Sequence, residues 1–412
     1  MFMTPDEQTV LDRIDEELLV RVTRELVQAT GQNPPGEEAA TVAALAAAAR
    51  DLGLDVVTSP VEPGRDNITI TLAGGNGPGL LILGHTDVVP VGDGWTTDPY
   101  GGTVKDGRIY GRGASDMKGG LAAALAALAT LRGTALTGPV ELTAVVDEEE
   151  TGKGIRAYVA DAHHTAAPAN IPATEPGSDD SQPTGFLGCV TAEPTDLQTI
   201  IAARGDSYLR VAIHGRACHA GNPDDGANAI YGAAAVVAEI ERLHAELTAN
   251  PHPLLGPATW SVGQINGGTG GSIVPADCVI VADRRLLPGE SPAAVLDDLR
   301  SRVAALRLED RGLSVELEMP MEMPAFETAA GTDLVRVVES ARSDAGGPDL
   351  PLAGWTAACD GGYVARDLGV PVVVLGPGSV TTQAHRADES IPVTELVTAA
   401  RAYALTALRL LT

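Results

Sequence analysis

The chain has 412 residues, 44% of them hydrophobic and only 3% aromatic, and its 28 Lys and Arg against 55 Asp and Glu leave a formal charge of −27. At roughly 150 residues per domain this length predicts two or three domains, with cores filled mainly by Ala, Val, Leu and Ile. The acidity excludes nucleic acid and anionic membrane as expected partners, and no apolar stretch reaches the ~20 residues of a membrane span. The N-terminus lacks a basic flank before an apolar run, so a cytoplasmic protein is expected. Cys189, Cys218, Cys278 and Cys359 form no Cys-x-x-Cys pair, which argues against a disulfide framework or a structural zinc ribbon.

In chain order, strong helix formers predict a helix over 6–29, closed by Gly31 and the Pro34-Pro35-Gly36 turn, and a second over 37–52. Strands are expected at 79–84, 139–146, 186–192 and 370–375, with a helix over 117–131. Strands apolar on both faces and separated by helices argue for an α/β fold, a mixed sheet covered by helices on both faces. The run 162–185 is rich in Pro, Ala, Ser, Thr and Asp and reads as a surface insertion, with His163 and His164 as solvated loop residues at its start.

From about 205 the rhythm changes to strand 207–214, helix 227–247, strands 259–265 and 278–284, helix 292–306 and strand 314–319. This βαββαβ order suits a small four-stranded α+β domain. The expected division is therefore a discontinuous catalytic domain of 1–204 and 320–412, interrupted by an inserted domain of 205–319.

Polar residues collect where strands end. Leu80–Leu83 runs into His85 and Asp87, Val140–Val146 into Asp147-Glu148-Glu149-Glu150, the third strand into Glu193, and the fourth through Gly376-Pro377-Gly378 towards His385. Asp116 directly precedes the helix expected from Met117. Ligands of open α/β sheets bind beyond the carboxyl ends of the strands. Each residue has a plainer reading: Asp116 as a helix N-cap, the acidic run as a solvated turn, His85 as a core histidine. Gly111-x-Gly-x-x-Asp116 also looks like a dinucleotide loop short of its third glycine. All of these would have to hold together at matching positions. Two imidazoles and several carboxylates on one edge instead suit a divalent metal with N and O ligands.

The ordered motifs resemble one family. They are His85-Thr-Asp87-Val-Val-Pro90, Trp95-x-x-Asp98-Pro99-Tyr100, Gly107-Arg-Ile-Tyr-Gly-Arg-Gly-Ala-Ser-Asp116-Met-Lys-Gly-Gly120, Asp147-Glu-Glu149, Glu193-Pro-Thr195 and Ala384-His385-x-x-Asp388-Glu389. Together they are similar to the co-catalytic metallopeptidases that include acetylornithine deacetylase, succinyl-diaminopimelate desuccinylase, aminoacylase-1 and carboxypeptidase G. The resemblance spans nearly the whole chain outside 162–185.

It implies two divalent metal ions, zinc first, with cobalt or manganese also admitted. Asp116 would bridge them, His85 and Glu193 completing one site and Glu149 and His385 the other. Glu148 would be the general base, and Asp87 would orient His85 through its second ring N–H. The resemblance also implies that His219, in Arg216-Ala-Cys-His219-Ala-Gly-Asn-Pro223, donates to the oxyanion in the partner subunit of a homodimer formed through the inserted domain. It implies further that Arg285 grips a substrate carboxylate, with the neighbouring Arg284 an alternative. Ser272, in Ser272-Ile-Val-Pro275, stands where relatives carry Asn, and its shorter side chain implies that the usual amide contact to substrate is lost or made through water. The three glutamates admit Glu148/Glu149 or Glu149/Glu150 as base and ligand, and Asp147 before the first pair, with Gly154 in register, favours Glu148/Glu149. Thr174-Glu175-Pro176 mimics the Glu193 motif but follows no strand.

The function implied is hydrolysis of an amide in an N-acyl amino acid or small peptide with a free carboxylate. Alternatives are a metallo-exopeptidase or dipeptidase, a hydrolase of N-carbamoyl amino acids, and a binding protein that has lost catalysis. A cysteine hydrolase using Cys218 with His219 is disfavoured, because neighbours on an extended segment point to opposite faces.

Overall fold

In the computed structural model, which describes residues 3–165 and 185–412, the long N-terminal helix expected over 6–29 is two helices, Pro5–Leu11 and Glu16–Gln28. The Asp15 side chain divides them by accepting the N–H groups of Glu17 (2.9 Å) and Leu18 (3.2 Å). A capping carboxylate satisfies the free donors of a new first turn and so starts a second helix inside one periodic pattern. The next helix, Ala39–Asp51, lies where it is expected.

The chain forms two units. One comprises Met1–Ile201, Glu327–Ala353 and Asp360–Thr412, the other Ala202–Phe326 and Gly354–Cys359. The first unit is built on a mixed sheet. At its centre Gly79–His85 lies between Val140–Val145 and Phe186–Thr191, parallel to both, and Val372–Val374 runs parallel beside Phe186–Thr191. All seven residues of Gly79–His85 are buried, as befits a parallel strand covered on both faces. The four parallel strands bring their carboxyl ends to one edge.

Several strands of this sheet lie where none is predicted, Phe326–Glu327 and Ala353–Trp355 among them. The antiparallel hairpin Asp55–Glu62 and Arg65–Leu72 extends one side through its pairing with Val140–Val145, and Ile200–Ala203 pairs antiparallel with Val372–Val374. The outer strand Asp55–Glu62 is exposed or half-exposed throughout, so it carries no apolar run to announce it.

The helix expected from Met117 begins at Gly119 and runs to Thr130. Ahead of it, Ala114–Lys118 forms a wide turn in which Asp116 (φ −122°, ψ 94°) and Met117 (φ −130°, ψ 33°) are not helical. Asp116 is therefore not an N-cap. The Gly119–Thr130 helix is apolar all round, as a helix buried on every side must be, and it packs against the C-terminal helix Val393–Leu411. Gly120 allows it to approach the sheet: a Cβ there would sit 2.2 Å from the Ala192 carbonyl oxygen. That contact seats the helix against the strand end that carries Glu193.

The helix Lys153–Thr165 includes His163 and His164, where a loop is expected. Residues 166–184, Glu175 among them, lie outside the described residues. Among the described residues no helix is long and apolar enough to cross a membrane.

In the second unit four antiparallel strands lie in the order Thr259–Gly267, Asp277–Leu286, Gly205–His214, Ser314–Met323. Burial alternates along Asp277–Leu286. Its inward face, with Leu209, Val211 and Ile213 of the adjoining strand, packs with the helices Ala229–Leu247 and Pro292–Ala305. The short strand Cys218–His219 pairs with Ile273–Val274.

Gly120→Ala should destabilise the protein by about 1–3 kcal/mol, since the obstacle is a backbone carbonyl and not a side chain able to turn aside. The urea midpoint, compared with wild type at equal m-value, measures it.

Candidate metal centre

The residues of the cluster are delivered by five strand ends and turns of the first unit. His85 closes its strand, Glu148 and Glu149 sit on the turn after Val140–Val145, and Glu193 follows Phe186–Thr191. Asp116 projects from the non-helical turn, and His385 lies in the loop beyond Val372–Val374 at φ +62°. The two Asp116 oxygens face different imidazoles: Oδ1 is 3.3 Å from His85 Nε2, and Oδ2 is 3.3 Å from His385 Nε2. Glu193 Oε1 lies 3.6 Å from His85 Nε2, and Glu149 Oε2 lies 3.2 Å from His385 Nε2. The sets His85–Asp116–Glu193 and Asp116–Glu149–His385 each gather their ligand atoms within 4.8 Å of one another. Glu148 Oε2 is 3.9 Å from His85 Nε2, whereas Glu150 is exposed.

The His85 tautomer follows from its neighbours. Nδ1 lies 3.0 Å from the Asp87 carbonyl oxygen and 3.5 Å from its carboxylate. A carbonyl only accepts, so the ring proton stays on Nδ1 and the Nε2 lone pair turns towards Asp116 and Glu193. Asp87 thus faces the ring N–H with both its carbonyl and, farther off, its carboxylate. Its carboxylate has other work. It accepts the N–H groups of Glu148 (3.2 Å) and Glu149 (3.1 Å) and the Asn33 amide (3.0 Å), pinning the turn that carries both glutamates.

Electrostatically the centre calls for positive charge. Burial raises Glu148, Glu193 and Glu149 above the usual carboxylate range, with neighbouring carboxylates adding to it. Burial works against a charged His85, yet Glu193 and Asp116 outweigh it and lift the imidazole well above its ordinary value. Hydrogen bonds that His385 donates to Asp116 and Glu149 lift its imidazole to about 10. Asp116 is held low despite its burial because both imidazoles face it. A cluster that favours protons on its imidazoles this strongly also favours a metal cation in their place. The buried Glu149 Oε1, which has no hydrogen-bond partner, is an acceptor that a cation would satisfy. The donor set of imidazole nitrogens and carboxylate oxygens therefore fits divalent metal.

Several residues that support this centre escaped the sequence reading. Asp147 stands at φ +68° and accepts from Asn33 (3.1 Å) and Arg65 (2.9 Å), while Arg65 also forms a close pair with Glu38. Arg65 and Glu38 are buried, and they come from the unpredicted hairpin and the entry to a helix. Lys118, the last residue of the Asp116 turn, is buried, donates to the Thr30 carbonyl, and is pushed down to about 7 by burial. Asp360 is also buried. It does not cap the Gly361–Leu368 helix it precedes, both of its oxygens lack a hydrogen-bond partner, and burial pushes it up to about 8. Asp147 and Lys118 stand within the motifs quoted above, whereas Arg65, Glu38 and Asp360 carried no sequence signal.

His219, Ser272 and Arg285 belong to the second unit. His219 is exposed, pairs in register with Ile273, and accepts the Gly221 N–H at Nδ1 (3.0 Å); the Ser272 carbonyl accepts the Ala220 N–H (2.9 Å). Arg285 pairs through Nη2 with Asp283 (2.9 Å) and Asp206 (3.2 Å). Its neighbour Arg284 is buried against Trp260 and Glu290, a structural setting. The Cys218 thiol donates to the Asn222 carbonyl (3.3 Å).

The description "Peptidase family M20/M25/M40" matches residues 81–409. The chain is 32% identical over 348 residues to acetylornithine deacetylase of Proteus mirabilis (strain HI4320), covering 82% of each. In fold it is similar to an M20-family metallo-carboxypeptidase of Sulfolobus solfataricus, with TM-score 0.75, 19% identity, and 95% of this chain and 99% of that one covered. It is likewise similar to a dinuclear metal-binding M20 peptidase of Bacillus subtilis, with TM-score 0.70, 15% identity, and 96% and 98% covered.

Arg65→Ala would strand the buried Glu38 carboxylate and take from Asp147 its one cationic partner among the described residues. Breaking a buried pair from one side typically costs ~3–5 kcal/mol, and a loss of that size is expected in denaturant titration at neutral pH.

Proposed function

The chain belongs to peptidase family M20/M25/M40 and is a metal-dependent hydrolase of carbon–nitrogen bonds, and we propose that it deacylates N-acyl amino acids bearing a free carboxylate, with two divalent metal ions at the His85–Asp116–Glu193 and Asp116–Glu149–His385 sites. The observation that carries the two-metal reading is Asp116, whose oxygens each face a different imidazole. The similarity to an acetylornithine deacetylase over 82% of the chain supports the deacylase form. A peptidase is the second reading, favoured by the fold similarity to a metallo-carboxypeptidase. An N-carbamoyl amino acid is a third substrate of the same chemistry.

Zinc, cobalt or manganese bound there would supply Lewis acidity to the attacking water and the developing oxyanion. The protein's own part lies in position and proton transfer. Glu148, on the turn pinned by Asp87, takes the proton of the attacking water and delivers it to the leaving amine. The raised affinity of this carboxyl for protons suits both halves of that transfer. Asp87 fixes the base and the Glu149 ligand through adjacent N–H groups, so the two move as one body.

His219 is the proposed oxyanion donor. Because its Nδ1 accepts a backbone N–H, the neutral ring carries its proton on Nε2 and donates from there. Arg285 is proposed to take the substrate carboxylate. Its bonds to Asp283 and Asp206 run through Nε and Nη2, leaving Nη1 to make the contact. Ser272, beside His219, is proposed as a substrate contact through its hydroxyl or a water. A homodimer through the second unit is supported by its free edge strand Thr259–Gly267 with exposed Ile265, and by the exposed Ile230 and Tyr231 of the adjacent helix. An unpaired edge beside apolar side chains invites a second copy.

Glu148→Ala should lower kcat by about 10²–10⁴ while metal content by elemental analysis stays at the wild-type level; full turnover would remove Glu148 as the base. Product analysis on acetyl, succinyl, carbamoyl and dipeptide substrates separates the three readings, with fastest turnover expected on an N-acyl amino acid. Ile265→Asp combined with Tyr231→Asp should convert a dimer to monomer in sedimentation, and an unchanged dimer would place the interface elsewhere.

A further inference from the structure

The motif residue Glu389 takes no part in the chemistry above, yet it is 1% exposed and fully engaged. Its Oε2 accepts from Arg112 Nη1 (2.7 Å) and the Gly113 N–H (3.0 Å), and its Oε1 accepts from the N–H groups of Ser115 (2.8 Å) and Asp116 (3.0 Å). The Glu389 carbonyl accepts the Gly111 N–H (2.9 Å). Because the Asp116 turn is not helical, its N–H groups need acceptors from outside, and one carboxylate supplies them.

The other end of this link is the His385 loop. Asp388 accepts the N–H and hydroxyl groups of both Thr96 and Thr97 at 2.8–3.2 Å. Arg112 donates to the Arg386 carbonyl (3.3 Å) and lies 5.3 Å from the Trp95 ring centroid. Four residues after His385, the chain is thus fastened to the turn that carries Asp116.

We propose that Glu389 is a positioning residue that latches the Asp116 turn to the His385 loop, and so sets the spacing of two ligands of the second metal ion. The inference rests on the two-metal reading above. An amide of the same shape cannot do this work. Its oxygen keeps one pair of donors, while its NH2 group confronts the other pair, leaving two buried donors without acceptors. Groups that orient ligands in this way typically govern metal affinity by 10–100-fold.

The test is stepwise Co²⁺ titration of wild-type protein and Glu389→Gln, followed by calorimetry and by the visible absorption of bound cobalt, with thermal melts in chelator. Wild-type protein should bind two equivalents. Glu389→Gln should bind the second at least ten-fold more weakly and with an altered visible band. Unchanged affinity and band in a folded Glu389→Gln protein overturn the latch; a lowered melting temperature alone is what a purely structural staple produces. If the amide prevents folding, Glu389→Asp replaces it, keeping the charge but falling one methylene short. A ten-fold loss there supports the latch, and wild-type affinity overturns it. Wild-type uptake of fewer than two equivalents overturns the two-metal reading itself and the latch with it, and is told apart by needing no variant.

Discussion

Asp116 is the constraint on which the first unit's chemistry depends. Its carboxylate stands between His85 and His385 at 3.3 Å from each, with Glu149 and Glu193 drawn in around it. So many buried acids near two imidazoles are costly unless positive charge joins them. The parallel sheet makes this concentration possible by ending four strands along one edge. The all-apolar helix behind the Asp116 turn fixes the depth at which the acids meet, because Gly120 lies directly against the Ala192 carbonyl.

Acids outside the two sets serve a second purpose, which is to hold backbone. Asp87 accepts the N–H groups of the turn bearing Glu148 and Glu149, and Glu389 accepts those of the turn bearing Asp116. Asp147, at a left-handed position, accepts the Lys153 N–H (3.4 Å) as well as the Arg65 and Asn33 side chains. In each case an irregular turn leaves N–H groups without a regular partner, and a buried carboxylate accepts them more strongly than a neutral group does. The result is a centre whose side chains are placed by other side chains, where a loop alone would leave them free.

The strand ends were legible because a buried parallel strand must be an apolar run, and His85, Asp147–Glu149 and Glu193 each follow one. The second unit was legible for the complementary reason, that alternation along its strands marks one covered face. The hairpin Asp55–Glu62 and Arg65–Leu72 was not, since its outer strand is exposed or half-exposed throughout and mixes Val with polar residues. The break at Asp15 was missed because a cap inside a periodic stretch leaves the period intact. Asp116 looked like an N-cap because the residues after it are good helix formers. The turn opens at Asp116 and Met117 instead, and the helix waits until Gly119.

The amino-acid sequence by itself determined which residue types stand at the strand ends, the fold class, and, through motif order, the family. Those features are local, written in periodicity and in short strings. Which oxygen of Asp116 faces which imidazole, that the Asp87 carbonyl stands closer than its carboxylate to the His85 ring N–H, and that Arg65 and Glu389 reach the centre from 82 and 273 residues away were decided only by the tertiary structure. Hydrogen-bond partners far apart in the chain are chosen by packing, and packing leaves no periodic mark on the residues it brings together.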